Sequence, residues 1–161
     1  MTKETIQYGL LLILAIGLLI AAFTDLRSRR IGNWLNGAIA LGAPVFWWSS
    51  NLSLWPDIAI QIGLMLVTLV VLSGLFALRA MGGGDVKLLT ALALWISPIW
   101  FLKLVIITAI AGGVLTIIFG AFHVMRRRKD RIAIPYGVAI AFAGLWVLAV
   151  HYFAPLTPSM V

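Results

Sequence analysis

Two aspartates lie where a carboxylate could do chemistry. Asp25 ends the first long apolar run of the 161-residue sequence, and Asp85 follows three consecutive glycines before the fourth run. Two membrane crossings would separate them, so both would lie on the same side. Two carboxylates that share one proton can hydrolyse a peptide bond, because the ionised group takes a proton from water while the protonated group donates to the carbonyl oxygen. The pair is therefore a candidate aspartic dyad.

A simpler interpretation of both residues stays open. Asp85 could cap a helix that begins at Val86, with the glycines as the preceding turn, and Asp25 could pair with a nearby arginine. A cap does not need three glycines. Glycine permits positive φ and close approach of a second backbone, as an extended substrate would require. Gly82 and Gly84 are therefore predicted to shape a site around Asp85.

The remaining acidic residues and other hydrolytic chemistries have weaker support. Glu4 is near a terminus, Asp57 follows a proline at a helix start, and Asp130 lies in a basic run. The chain has no cysteine, which excludes a thiol nucleophile and thiolate metal sites. It also lacks the His-Glu-x-x-His pattern of zinc peptidases. No metal and no cofactor are expected.

The elements that must position the two aspartates are apolar helices. Hydrophobic residues make up 63% of the chain and occur in long runs without strand-like alternation. About 20 such residues cross the hydrocarbon core of a bilayer. The pattern predicts an all-α polytopic membrane bundle of about six transmembrane helices, at about Tyr8–Thr24, Trp34–Trp48, Ile58–Leu78, Val86–Leu102, Leu104–Val124 and Ile134–Phe153.

The basic residues predict the orientation of this bundle. Ten of the twelve lie on the first, third and fifth loops, and only Lys3 and Lys103 lie on the other side. Cytoplasmic loops carry the excess of Lys and Arg. The first, third and fifth loops are therefore expected in the cytoplasm, with both termini outside. The net charge of +7 follows from this bias, so no nucleic-acid partner is expected.

Three motifs in order resemble those of the type IV prepilin peptidases, a family of Gly-x-Gly-Asp aspartic peptidases. The segment Gly-Gly-Gly-Asp-Val-Lys-Leu-Leu begins at Gly82 and is similar to the family's central motif. The stretch from Asp25 to Asn33 resembles its first motif, although Gly32 stands where the family has proline. Ile134-Pro135-Tyr136-Gly137 resembles its last-helix motif. The resemblance extends from Tyr8 to about Phe153.

The resemblance implies one membrane-embedded aspartic peptidase domain over residues 1–161, with Asp25 and Asp85 as the catalytic pair. It implies cleavage of the leader peptide of type IV, Flp-like prepilins and pseudopilins at the cytoplasmic face of the bacterial inner membrane. Residues that would bind substrate or shape the site are Gly82, Gly84, Lys87, Asn33, Pro135, Tyr136 and Gly137.

The subtype and the alternatives follow from what the chain lacks. Larger relatives carry a methyltransferase region with a four-cysteine zinc site, so this cysteine-free chain resembles the short Tad/Flp-pilus type. Expected partners are prepilin or pseudopilin substrates, the lipid bilayer and pilus or secretion assembly machinery. An archaeal-type preflagellin peptidase is one alternative. The other is a non-enzymatic small transporter or assembly scaffold, in which Asp25 and Asp85 form an ion path or structural pairs.

Overall fold

A computed structural model describes residues 2–125 and 135–153 of the chain. Every regular element in these residues is helical, which confirms the predicted all-helical bundle. A turn at Leu54–Ile58 precedes α3, and π-helical backbone at Leu148–Phe153 continues α6. The helices are α1 (Lys3–Ser28), α2 (Asn33–Ser49), α3 (Ala59–Ala77), α4 (Gly83–Leu92), α5 (Pro98–Met125) and α6 (Tyr136–Val147).

Four of the helical segments are long and apolar enough to cross a membrane. They are Lys3–Ser28, Leu54–Ala77, Pro98–Ala121 and Tyr136–Phe153. Large apolar side chains on α1, α3 and α5 are exposed, among them Ile13, Val70 and Ile117. In a bundle without a surrounding protein layer, these faces are suited to contact lipid. The chain is thus built as a multi-pass membrane protein.

The short helix α4 lies at the centre of the bundle. It packs against α2, α3 and α6, while α1 packs against α2 and α6. Leu88, Leu89 and Leu92 of α4 are completely or almost completely buried. Because α4 is surrounded by other helices, the end that carries Asp85 is held by several neighbours.

The predicted boundary between the fourth and fifth spans is wrong. The expected spans Val86–Leu102 and Leu104–Val124 are replaced by a helix that ends at Leu92 and one that begins at Pro98. Proline has no N–H and disfavours helical backbone in the residue before it, but it is well tolerated in the first turn of a helix. The break therefore falls before Pro98, inside the continuous apolar run from which a longer fourth span was predicted.

Side chains of other helices satisfy the irregular backbone at residues 93–96, between α4 and α5. The Trp47 indole donates to one carbonyl at 2.7 Å, and the Tyr152 hydroxyl donates to another at 3.0 Å. The Gln61 carboxamide, oriented to donate, lies 3.0 and 3.1 Å from the other two. Non-helical backbone at membrane depth requires such partners. The acceptors are the carbonyls of Ala93, Leu94, Trp95 and Ile96.

Several predictions fall outside the described residues. These concern the basic loop Arg126–Arg131, the solvated Asp130 and the start of the last span at Ile134. The described part of that span begins with Pro135 and enters α6 at Tyr136.

At the opposite end of the bundle, the Lys3 ammonium donates to the Asn51 carboxamide oxygen at 2.6 Å, which joins the start of α1 to the end of α2.

Candidate active site

A cavity of about 920 Å³ opens at the end of the bundle where α1 and α3 end and α4 and α6 begin. Asp25 and Asp85 both line it, and each is more than nine-tenths buried. The structure thus brings together two acidic side chains that are 60 positions apart in sequence. Other lining residues include the glycine turn Gly82–Gly84, three arginines (Arg29, Arg30 and Arg79), Ile31, Phe76, Met81 and Tyr136.

The carboxylate of Asp25 is held by the start of α6. Asp25 lies in the last turns of α1, and its Oδ2 accepts a hydrogen bond of 2.7 Å from the Gly137 N–H. That N–H lies in the first turn of α6, where backbone donors have no partner within the helix and the helix dipole favours negative charge. The contact requires glycine, because a Cβ at position 137 would lie 2.8 Å from Oδ2.

Asp85 is the third residue of α4 and lies outside the four candidate membrane spans. Burial, and then the nearby charge of Asp25, raise the pKa of the Asp85 carboxyl to about 7, although the Gly82 N–H opposes the rise. This raised pKa favours a protonated Asp85 near neutral pH. The two cavity carboxylates differ in their hydrogen bonding, since the Asp25 Oδ2 accepts a bond of 2.7 Å from a helix N–H, while the Gly82 N–H only partly offsets the burial of Asp85.

The sequence offered two reasons for the glycines before Asp85, which were positive φ and close approach of another group. The first reason is wrong. None of the described glycines has positive φ, and Gly82 has the ordinary extended values of −73° and 142°. Gly83 and Gly84 already belong to α4, so Asp85 is not the cap of a helix that starts at Val86. The glycines instead permit close contacts. A Cβ at Gly82 would lie 2.8 Å from the Asp85 Oδ2.

Gly84, which lines the cavity, and Lys87, which does not, both contact residues at or just before the start of α2. A Cβ at Gly84 would lie 3.3 Å from the Ile31 Cβ and 3.4 Å from its nitrogen. Lys87 donates to the Asn33 carboxamide oxygen at 2.8 Å and is not part of the cavity lining. Lys87 and Asn33, both predicted to bind substrate or shape the site, are thus bonded to each other.

The last-helix motif contributes to the cavity through two residues. Tyr136 lines it, and its hydroxyl lies 3.2 Å from the Thr116 hydroxyl of α5. Gly137 contacts Asp25 directly. Pro135 is buried immediately before α6, where it precedes the first helical residue.

The cavity is also lined by arginines, which sequence reasoning used for orientation and as candidate partners of Asp25 but not as site residues. Arg29 ends α1 and Arg79 follows α3, and both have positive φ, 53° and 58°. This conformation is unfavourable for a residue with a Cβ. Arg29 lies a few residues after Asp25, and Arg79 lies a few residues before Asp85. This closeness in sequence was the signal from which their place at the cavity could have been predicted. Among the described side chains, no group of three or more His, Cys, Asp or Glu could hold a metal.

The fold and the cavity define a class: a helical membrane protein with two buried carboxylates at one end of its bundle. A family model, the type IV leader peptidase family, matches residues 12–117. The match includes Asp25 and the segment Gly82–Asp85 and ends before Tyr136. No curated protein and no solved structure matches the chain significantly. The chain belongs to the type IV leader peptidase family, and is therefore a membrane peptidase whose substrates are of the prepilin type.

Proposed function

We propose that this protein is an aspartic endopeptidase in which Asp25 and Asp85 together remove the leader of Flp-like prepilins and pseudopilins. The observation that carries the proposal is that both buried carboxylates line one cavity that is open to solvent and large enough for an extended peptide segment. Membership of the leader peptidase family supplies the substrate class. The Flp subtype rests on the resemblance to short, cysteine-free relatives.

The different surroundings of the two carboxylates support a division of roles. The Gly137 N–H, which favours an ionised acceptor, assigns the role of the base to Asp25, and the role of the acid then falls to Asp85, whose pKa is raised to about 7. Asp25 takes a proton from a water molecule while the oxygen of that water attacks the scissile carbonyl carbon. Asp85 donates its proton to the carbonyl oxygen, which gives an uncharged tetrahedral diol.

Collapse of that intermediate restores both groups. Asp25 gives the proton it received to the leaving nitrogen as the carbon–nitrogen bond breaks. Asp85 takes a proton back from one hydroxyl as the new carboxyl group forms. The pair ends as it began, with one proton between two carboxylates, so no cofactor is consumed.

The arginines at the cavity support a cytoplasmic active site. Arg29, Arg30 and Arg79 all lie at the end of the bundle that carries Asp25 and Asp85. Positively charged residues favour the cytoplasmic side. We therefore place the cavity at the cytoplasmic face of the bacterial inner membrane, with both termini outside, where pilus or secretion assembly machinery could receive the product.

Co-expression with candidate prepilins tests the proposal. Wild-type protein should convert the prepilin to a faster-migrating form that has lost its leader, and Asp85→Asn should not. Asp57→Asn is the matched control, because Asp57 is an exposed acidic residue that bonds to Ser53 near the start of α3. A prepilin that stays intact with wild-type protein would contradict the proposed substrate, and cleavage by Asp85→Asn would contradict the mechanism.

A further inference from the structure

The helix end that carries Asp85 is bound to α2 on the side away from the cavity. Lys87 follows Asp85 by two residues, which places it about 200° around the helix at about 100° per residue. Its ammonium group donates to the Asn33 carboxamide oxygen at 2.8 Å. Asn33 is the first residue of α2. Lys87 thus links the start of α4 to the start of α2, through a bond between residues that are 54 positions apart in the sequence.

A second carboxamide on the same face of α2 reaches the residue before Asp85. Asn36 lies one helical turn after Asn33 and is buried. Its Nδ2 donates to the Gly84 carbonyl oxygen at 3.4 Å, at the long end of the range for a hydrogen bond. The tight contact of Gly84 with Ile31 brings the two helices close enough for this bond. Asp85 is therefore flanked by two attachments to α2.

The same end of α2 is tied covalently to Asp25. Only residues 29–32 separate the end of α1 from the start of α2, and Asp25 lies in the last turns of α1. A shift of the α4 end relative to α2 would change the separation of the two carboxylates. The contact between α2 and α4 therefore lies on one structural path from Asp25 to Asp85, and the packing of α6 against α4 is another.

We propose that Asn33 and Lys87 are positioning residues that, together with Asn36, set the separation of Asp25 and Asp85. We call the four residues Asn33, Asn36, Gly84 and Lys87 the α2–α4 latch. This inference rests on the proposed function, since it assigns the latch to the same carboxylate pair. Neither Asn33 nor Lys87 touches the reacting atoms, and both act through the placement of the α4 end.

The test compares purified variants in kinetics on a prepilin peptide. Lys87→Met keeps the apolar stem, Asn33→Ala removes the acceptor, and Asn33→Asp keeps an acceptor for the ammonium group. Arg27→Met is the matched control, because Arg27 is an exposed basic residue of the same bundle end that does not line the cavity. We expect Lys87→Met and Asn33→Ala each to lower kcat about 10- to 100-fold with little change in KM, because small misplacements of catalytic groups cost that much.

Further outcomes separate positioning from a merely structural role. The double variant should be no slower than the slower single variant, because the two residues act through one bond, and Asn33→Asp should retain the wild-type rate. The alkaline limb of the pH–kcat profile should move to lower pH in Asn33→Ala, which changes no charge, because a wider separation of Asp25 from Asp85 raises the pKa of Asp85 less. The other ionisable groups that line the cavity, Asp25, Arg29, Arg30, Arg79 and Tyr136, are unchanged in these variants. Loss of folding alone would lower yield and leave the profile of the surviving enzyme unchanged.

A measurement independent of cleavage completes the test. The infrared carboxyl band that disappears in Asp85→Asn reports the titration of Asp85, and its midpoint should fall in Asn33→Ala but not in Arg27→Met. A wild-type midpoint and a wild-type kcat in Asn33→Ala would overturn the proposed role of the α2–α4 latch. If Asp85→Asn is inactive at the same time, the proposed function stands without it. If wild-type protein cleaves no prepilin, the proposed function fails and the infrared midpoint still decides the latch.

Discussion

Each cavity carboxylate is approached by the backbone of a glycine near the start of a helix. Gly137 lies against Asp25, and Gly82 lies against Asp85, each so closely that a Cβ would be 2.8 Å from a carboxylate oxygen. These glycines leave room for the carboxylates and bring N–H groups toward them. At the scale of single residues, the site is thus built from contacts that any side chain beyond hydrogen would displace.

Gly137→Ala should therefore disrupt the site without disturbing the bundle. The added methyl group forces Asp25 away from the Gly137 N–H, and we expect cleavage to fall about 100-fold. The control is Gly113→Ala on α5, where a Cβ would meet no atom within 4 Å. Peptide cleavage rates at equal amounts of membrane-inserted protein check this. Equal activity of the two variants would contradict the role given to the Asp25–Gly137 contact.

The sequence singles out Asp25, Asp85 and the glycines that contact them, but it gave two reasons for the glycines and the structure supports only one of them. Three consecutive glycines indicate either unusual torsion angles or close approach, and residue types alone do not decide between them. The contact between Gly137 and Asp25 joins residues 112 positions apart. Such a pairing depends on how α1 and α6 pack, which a single sequence does not encode in any local pattern.

At the scale of the helices, the main departure from six uniform membrane spans is the irregular segment between α4 and α5. The spans that correspond to α2 and α3 were predicted within one residue at both ends, because apolar runs bounded by charged or polar residues are a strong signal. The interruption at Ser97 and Pro98 is visible in the sequence, but the ends of the helices on either side of it were predicted wrongly because apolar residues continue across it. The stability of this segment depends on donors from α2, α3 and the end of α6, which lie far away in the sequence.

Gln61→Leu should destabilise the bundle through this segment. The variant removes the donor for two buried carbonyls, those of Ala93 and Ile96, and we expect a loss of about 2 kcal/mol in the free energy of unfolding. Gln7→Leu is the control, since Gln7 makes no side-chain hydrogen bond within the described residues. Unfolding in mixed detergent micelles measures both. Equal stability of the two variants would show that the carbonyls do not need Gln61.

At the scale of the whole molecule, one end of the bundle combines the acidic pair with basic loops. Arg29, Arg30 and Arg79 lie at the cavity, while Lys3 bonds to Asn51 at the other end. The distribution of basic residues along the sequence predicted that the first and third loops lie at the same end of the bundle, because alternate loops of a polytopic protein lie on the same side of the membrane. The side of the membrane on which the cavity lies stays a prediction.

Single cysteines test this orientation in a chain that has none of its own. Ser28 lies at the cavity end of α1, and Ser50 follows α2 at the opposite end. With a membrane-impermeant thiol reagent on intact cells, we expect Ser50→Cys to label and Ser28→Cys to label only after permeabilisation, because the arginines favour the cytoplasm. Labelling of Ser28→Cys in intact cells would place the cavity outside and invert the topology.

The central claim is that Asp25 and Asp85 work as one catalytic unit. The most direct test measures kcat/KM of Asp25→Asn, Asp85→Asn and the double variant on one prepilin peptide. Each substitution keeps size and hydrogen bonding but removes the carboxyl group that exchanges a proton. Groups that act together are strongly non-additive, so each single variant should lose essentially all cleavage, and the double variant should be no worse, at normal abundance in the membrane. Substantial cleavage by either single variant would contradict the shared-proton mechanism.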